Sequence, residues 1–541
     1  MNLTARRYRA LALALCVVGG INVSGPRVRA AETNLPFGQK PEPISLTLTQ
    51  LRSVVSNAYG PQPGSDDRIT LDGKVTAAFG FSLAYRAIYQ GDDYFESVTA
   101  DSFTEASGRY KGQRWLQNQN GVIALRKFRH SPTDVDGRLL WRELFVSGND
   151  VEIVGEIKAP QPAYVVRVTP KDEPIVWLAF DVQTGLLDLA QVDFVEGPSN
   201  FAFTEYHQQT RFMIPSQYTE TDASATATIT DTVVSLSRTA VHDDSSVRIP
   251  VSRRLVEFPA GVDKVTIPMH MDLHQIIVRV FINGRGLDFI LDTGTSGILI
   301  DRDVARELGL QEAGPVFRTS KGKPVRSFVS CPRLDVGQLS MHNILLEQAE
   351  FQLQPQATAK YVGLLGYDFI QAVALKIDFE HDSLEVVLPE RFNPPTGANP
   401  IDIRLDDGVP TVTADVSGKV ANNIMIDTGS DQPLVFSRFV KEQGWPMPDL
   451  KGPGVTYLYY PLATGKVPVA LVRLNRVRLG DYYFGGMIAY ITYNAPKFEV
   501  PETDGIIGTS ILLFFDVYFD YSHYKMYLAE NSLFKKDAGG K

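Results

Sequence analysis

Cysteine is almost absent from this chain: two in 541 residues, Cys16 and Cys331. Cys16 lies in an amino-terminal apolar run. A chain cleaved after that run keeps one thiol and can form no internal disulfide, even in an oxidising compartment. Cys331 sits in Phe328-Val329-Ser330-Cys331-Pro332, which alternates as a strand does. It reads as a buried structural thiol rather than a nucleophile. A basic stripe is missing too. Lys and Arg number 53 against 62 Asp and Glu, with the signs interspersed and a net charge of −9, which argues against a nucleic-acid partner. The eight histidines form no His-Glu-x-x-His and no metal-ligand spacing. His270 and His274 are four apart, but Pro268 and the β-branched run after them argue against a helix there. Walker and dinucleotide glycine patterns and a Gly-x-Ser-x-Gly elbow are all lacking. No metal or organic cofactor is implied. Past the first thirty residues no apolar run is long enough to span a bilayer.

What is present begins with an export pattern. Arg6, Arg7 and Arg9 precede a short apolar run, Ala10 to Ile21, and Val28-Arg29-Ala30 offers a small-residue cleavage site. The expectation is a signal peptide over 1–30 and a periplasmic or secreted chain with no stable membrane insertion; a retained anchor is the alternative. The 51 Tyr and Phe residues, with many Val, Ile and Thr, favour strands over helices. At ~150 residues per domain the length suggests roughly three domains.

Residues 31–245 read as one helix packed on a curved antiparallel sheet. Leu48, Leu51, Val54 and Val55 have helical spacing, and Pro61-Gln62-Pro63-Gly64 ends that segment. Short alternating runs follow, such as Tyr164–Val168 and Ile175–Asp181, with hairpin signals at Asn120-Gly121 and Asp136-Gly137. The Tyr-x-x-x-Val-x-Pro strand at Tyr164 and the following strand that ends Asp181-x-x-Thr184-Gly185-Leu186-Leu187 resemble the bacterial lipoprotein-carrier half-barrel. That resemblance implies a concave sheet able to hold acyl chains or peptides. A spacer or pro-region is the other reading.

Beyond residue 265 the chain repeats itself. Ile276–Ile282, an Asn283-Gly284 turn and Leu287–Leu291 run into Asp292-Thr293-Gly294-Thr295. Val409–Val416, a Ser417-Gly418 turn and Asn423–Ile426 run into Asp427-Thr428-Gly429-Ser430-Asp431, displaced by 427 − 292 = 135 residues. Each unit continues with a short helix, Asp301 to Leu308 and Ser437 to Gln443, opened by an N-cap type residue and closed by glycine. Each then reaches an apolar-apolar-Gly element, Leu364-Leu365-Gly366 and Ile506-Ile507-Gly508, and an acid–aromatic pair, Asp378-Phe379 and Asp520-Tyr521. Two carboxyls brought together by such a duplication cannot both ionise easily, so they share a proton. One can then take a proton from water while the other donates one, which suits hydrolysis without metal or nucleophile. Gly294 and Gly429 let the backbone turn with its amides close to the carboxylates.

The duplicated pattern resembles the retropepsin-like and pepsin-type aspartic peptidases, in particular bacterial exported aspartyl proteases with both lobes in one chain. The resemblance implies a mainly β protein whose helix-plus-sheet domain precedes a two-lobed acid-protease β-barrel fold with pseudo-twofold symmetry, lobes at 265–390 and 400–530. It implies catalytic Asp292 and Asp427. It also implies Thr293 and Thr428 bonding across the lobe junction, and Thr295 and Ser430 hydroxyls on the outer carboxylate oxygens. Asp431 matches an acid that contacts substrate main chain; a solvated loop acid is the alternative. Water-excluding flaps are expected at Thr319–Val325 and Tyr457–Lys466. The expected activity is aspartic endopeptidase action on a peptide or protein substrate, by a monomer with an internal pseudo-dimer. The rivals are a binding protein with silent lobes and a peptidase latent until its sheet domain is removed.

Overall fold

A computed structural model describes residues 36–60, 67–77, 81–91, 93–126, 145, 149–169, 175–194, 197–209, 212–221, 228–240, 243–318, 324–351, 357–406, 408–447, 455–459, 466–492 and 503–539. The expected signal peptide, the breaker at 61–64 and the Asp136-Gly137 turn lie outside these residues.

The helix Leu48–Tyr59 starts at a capping box, in which Thr47 Oγ1 accepts from Gln50 N at 3.3 Å and Gln50 Oε1 accepts from Thr47 N at 2.9 Å. Its buried stripe is Leu51, Val55 and Tyr59, four residues apart, so one face meets the sheet. Val54, off that stripe, is exposed. The Tyr59 hydroxyl reaches into the sheet, where it accepts from Leu187 N at 2.8 Å and bonds the Tyr206 hydroxyl. The sheet has thirteen described strands between Asp67 and Ala240, each antiparallel to its neighbours. Two meanders build it, and they join where the strand Asp67–Ala77 pairs with Thr228–Ala240. One outer edge is Ile123–Arg126, which ends the first meander after a tight turn at Asn118–Val122.

The repeated units fold alike. Gln275–Ile282 and Arg285–Leu291 form a hairpin, as do Val409–Val416 and Lys419–Ile426. The turn residues are left-handed, at φ 50° and 77° for Asn283-Gly284 and 52° and 86° for Ser417-Gly418, the two-residue geometry that suits strand twist. The second hairpin strand then pairs in parallel with the apolar-Gly element, Leu291 opposite Leu365 and Ile426 opposite Ile507. Short helices follow at Arg302–Glu307 and Ser437–Glu442. Asp301 caps the first through its side chain, to Asp303 N and Val304 N. The second departs from expectation. Phe436 occupies the cap position, and Ser437 N donates instead to Thr492 Oγ1 at 3.2 Å.

The lobes share one sheet. Ala374–Asp378 of the first is antiparallel to Phe515–Asp520 of the second, with Ala374 opposite Asp520 and Ile377 opposite Val517. Lys376 ties the same seam, at 2.8 Å from Asp378 and 2.9 Å from Asp516. Partial burial works against its charge, but the two carboxylates win and hold it above the ordinary lysine range. A continuous apolar core runs through both lobes and takes in Val122 and Ala124 from the sheet domain. The mainly β, pseudo-twofold acid-protease architecture anticipated from the repeat is the architecture found.

Candidate active site

The two Asp-Thr-Gly loops meet on the pseudo-twofold axis, and their threonines cross it. Thr293 N donates to Thr428 Oγ1 and Thr428 N to Thr293 Oγ1, both at 3.0 Å. Each hydroxyl in turn donates at 2.7 Å to the opposite lobe, Thr293 to Ile426 O and Thr428 to Leu291 O. All four donors are buried and paired, so this junction is both closed and rigid. Beneath it, Asp292 N donates to Leu365 O and Asp427 N to Ile507 O, each at 3.0 Å. The apolar-Gly elements thus hang the loops at matched depths. A Cβ on Gly366 would stand 2.4 Å from Thr295 O, and one on Gly508 2.4 Å from Ser430 O. Only glycine lets the supporting strand approach that closely.

Asp292 is buried and Asp427 part-buried, and the two carboxyls face one another across the junction. Gly294 N donates to Asp292 Oδ1 and Gly429 N to Asp427 Oδ1, both at 2.8 Å. Each glycine faces the other lobe's acid: a Cβ on Gly294 would lie 2.7 Å from Asp427 Oδ1, and one on Gly429 2.7 Å from Asp292 Cγ. Here the symmetry breaks. Thr295 Oγ1 donates to Asp292 Oδ2 at 2.7 Å, but Ser430 Oγ points to Gln432 O at 3.4 Å. The expected Ser430 bond to the second carboxylate is therefore not made, because Gln432 O offers the hydroxyl a local alternative.

The two acids therefore differ in what surrounds them. Burial raises Asp292, while the Thr295 hydroxyl, the bond from Asp427 and the Gly294 amide pull it back. Burial and then the charge on Asp292 hold Asp427 well above the carboxylate range. The two acids titrate as a pair that resists losing both protons. Tyr521 lies buried nearby with its ring stacked on Tyr367 at 5.9 Å. Burial, Tyr367 and then both dyad carboxyls keep its hydroxyl neutral.

Asp431 stands at the rim with a half-exposed side chain, 3.3 Å from Gln432 Nε2 and 4.0 Å from His274 Nδ1. The expected flaps fall partly outside the described residues, at 319–323 and 460–465. Their bases are paired antiparallel strands, Phe317 opposite Arg326 and Tyr459 opposite Lys466. Among the described residues no group of three or more His, Cys, Asp or Glu could hold a metal. Cys331 is buried in the apolar core, and burial pushes its thiol up to about 12.

Three contributors to the site carry no local motif. Gln275 Nε2 donates across the lobes to Gly429 O at 3.3 Å. Thr509, after the second apolar-Gly element, donates to His274 O at 2.5 Å and bonds Ser430 O at 3.1 Å. Asp368, after the first, is fully buried against Asn118 and Asn120 of the sheet domain. Each depends on a partner remote in sequence.

Among solved structures, a retropepsin-like aspartic protease from Rickettsia conorii is 21% identical and covers 25% of this chain and 95% of its own, at a TM-score of 0.19. A LolA superfamily protein from Nitrosomonas europaea is 12% identical over 37% of this chain and 95% of its own, at 0.29. Basic 7S globulin from soybean is 9% identical over 51% and 97%, at 0.31. No curated protein matches the chain. Residues 278–369, the segment that holds Asp292, its loop and the first apolar-Gly element, match the aspartyl protease family.

Proposed function

We propose that the chain is an aspartic endopeptidase, with Asp292 and Asp427 as its catalytic residues and an extended peptide as its substrate. One observation carries this reading: two carboxyls, each on an Asp-Thr-Gly loop locked to the other by its threonine, lie against the opposite loop's glycine across the lobe junction. A water between them would give its proton to ionised Asp292 as its oxygen attacks the peptide carbonyl carbon. Protonated Asp427 would give its proton to the carbonyl oxygen. Collapse of the tetrahedral diol breaks the C–N bond, with a proton passed to the leaving amine. No cofactor enters this scheme.

Thr293, Gly294, Thr428 and Gly429 hold the loops, and Thr295 favours the charged form of Asp292. Asp431, at the rim, would receive substrate main-chain amides, and the two hairpins would close over the peptide. Because both acids belong to one chain, a monomer suffices. Export to the periplasm or beyond is proposed on the first thirty residues. No described helix is long and apolar enough to cross a membrane. Purified protein should cleave a denatured peptide mixture between mildly acid and neutral pH. Equal inertness of wild type, Asp292→Asn and Asp427→Asn would refute the reading.

A further inference from the structure

The first Asp-Thr-Gly loop is braced from outside its own lobe. The Asp368 carboxylate is fully buried, and it accepts from Asn118 Nδ2 at 2.5 Å on Oδ1 and from Asn120 Nδ2 at 2.8 Å on Oδ2. Both asparagines are themselves buried and locked. Asn118 Oδ1 accepts from Asn120 N at 2.9 Å and Val122 N at 3.0 Å. Asn120 brackets Leu345, accepting from its N at 2.7 Å and donating to its O at 2.9 Å. A second tie runs from Tyr367 OH to Ile123 O at 3.0 Å.

The route from Asp368 to the dyad is short. Tyr367 N donates to Thr295 O at 2.9 Å and Gly366 N to Gly297 O at 3.1 Å. Thr295 in turn holds Asp292 through its hydroxyl. The second lobe solves the same problem differently. There Thr509 N donates to Ser430 O at 2.9 Å, and the Thr509 hydroxyl is anchored on His274 O, a turn of the first lobe. Ser510 stands where Asp368 stands in the first lobe. One loop is therefore buttressed by the opposite lobe and the other by the sheet domain.

We propose that Asn118 and Asn120 are positioning residues of the peptidase, through which the N-terminal sheet holds the first catalytic loop in place. The sheet domain is then a working part of the enzyme and not a removable inhibitor. Its loss would strip the two asparagine amide donors from a carboxylate sealed in the core. The inference rests on the peptidase reading for its kinetics, but the brace itself can be measured without turnover.

Asn118→Ala and Asn120→Ala in the full chain test it, with a quenched fluorescent peptide cleaved by wild type. The expected result is a fall in kcat of tenfold or more with KM within twofold. The acid limb of the pH profile should also move upward as Thr295 loosens from Asp292. Hydrogen exchange at 292–297 and 364–369 should quicken while that at 515–520 stays as in wild type. Should the alanine variants not fold, Asn118→Ser, whose shorter side chain stops short of Asp368, takes their place with the same results expected. Wild-type kcat, pH limb and loop exchange in the variants would overturn the proposal. An inert wild type refutes the peptidase reading, and exchange at the two loop segments then decides the brace alone.

Discussion

Thr295 donates its hydroxyl to Asp292 Oδ2 at 2.7 Å, and no equivalent bond reaches Asp427, because Ser430 turns to Gln432 O. Two loops of the same pattern thus solvate their acids unequally. Thr295→Ala removes a bond that favours ionised Asp292. A hydrogen bond to a charged group contributes ~1.5–3 kcal/mol. The acid limb of kcat/KM is expected to shift to higher pH, with activity at mildly acid pH down by about tenfold or more. Ser430→Ala should leave that limb in place. Parallel profiles of the two variants across pH 3–7 would contradict the assignment.

The rate should rise as Asp292 ionises and fall as Asp427 loses its proton. Burial and the Asp292 charge hold Asp427 well above its usual value, so the basic limb should lie above the ordinary carboxylate range. Asp292→Asn and Asp427→Asn should each lower kcat by ~10²–10⁴-fold, the scale of a lost general acid or base. Steady-state rates on one peptide across the pH range test both statements.

The same raised acid makes stability depend on pH. A carboxyl whose folded pKa lies above its unfolded value, about 4, contributes its full stability below that value. The contribution is lost as pH rises through the folded pKa. Asp427→Asn has no such proton to lose. Its stability relative to wild type should therefore increase between pH 4 and pH 8, as read by denaturant titration. A constant difference over that window would count against a proton held on Asp427.

Thr428→Val deletes the hydroxyl that accepts from Thr293 N and donates to Leu291 O. Two buried backbone groups lose their partners, at ~1–3 kcal/mol each. The denaturation midpoint should fall markedly, and Thr428→Ser should recover most of the loss. Equal midpoints for valine and serine would remove the cross-lobe bonds from the account.

Cys331 Sγ lies buried 3.3 Å from Arg333 O, and burial pushes its thiol up to about 12. A thiol reagent at pH 8 should modify it only in denaturant, and Cys331→Ala should cleave peptide as wild type does. Rapid native labelling with loss of activity would reverse that expectation.

The features legible in the sequence are those that local chemistry dictates. Asn283-Gly284 and Ser417-Gly418 announce their hairpins because both residues of such a turn need positive φ. The helix over Leu48–Tyr59 is visible as a stripe of Leu and Val, and the duplicated Asp-Thr-Gly brings its own turn. What escaped depends on partners far along the chain. Asn120-Gly121 reads as a turn and is one, but nothing local reveals that the Asn118 and Asn120 amides face an aspartate about 250 residues on. Ser437 looks like a helix cap, yet the strand containing Thr492 takes its amide and leaves Phe436 at the cap. Gln275 carries no motif, and only the apposed lobe makes it a cross-lobe donor.

The seam between Ala374–Asp378 and Phe515–Asp520 has a consequence for biosynthesis. A chain emerging from the ribosome can close its sheet first, and that sheet can then receive Asp368. Until residue 427 has been made only one of the two acids exists, and until the strand at 515–520 arrives the lobes lack their shared sheet. Hydrolytic competence, on the proposed reading, thus waits on both the second acid and the seam, and a chain halted before either carries an incomplete site.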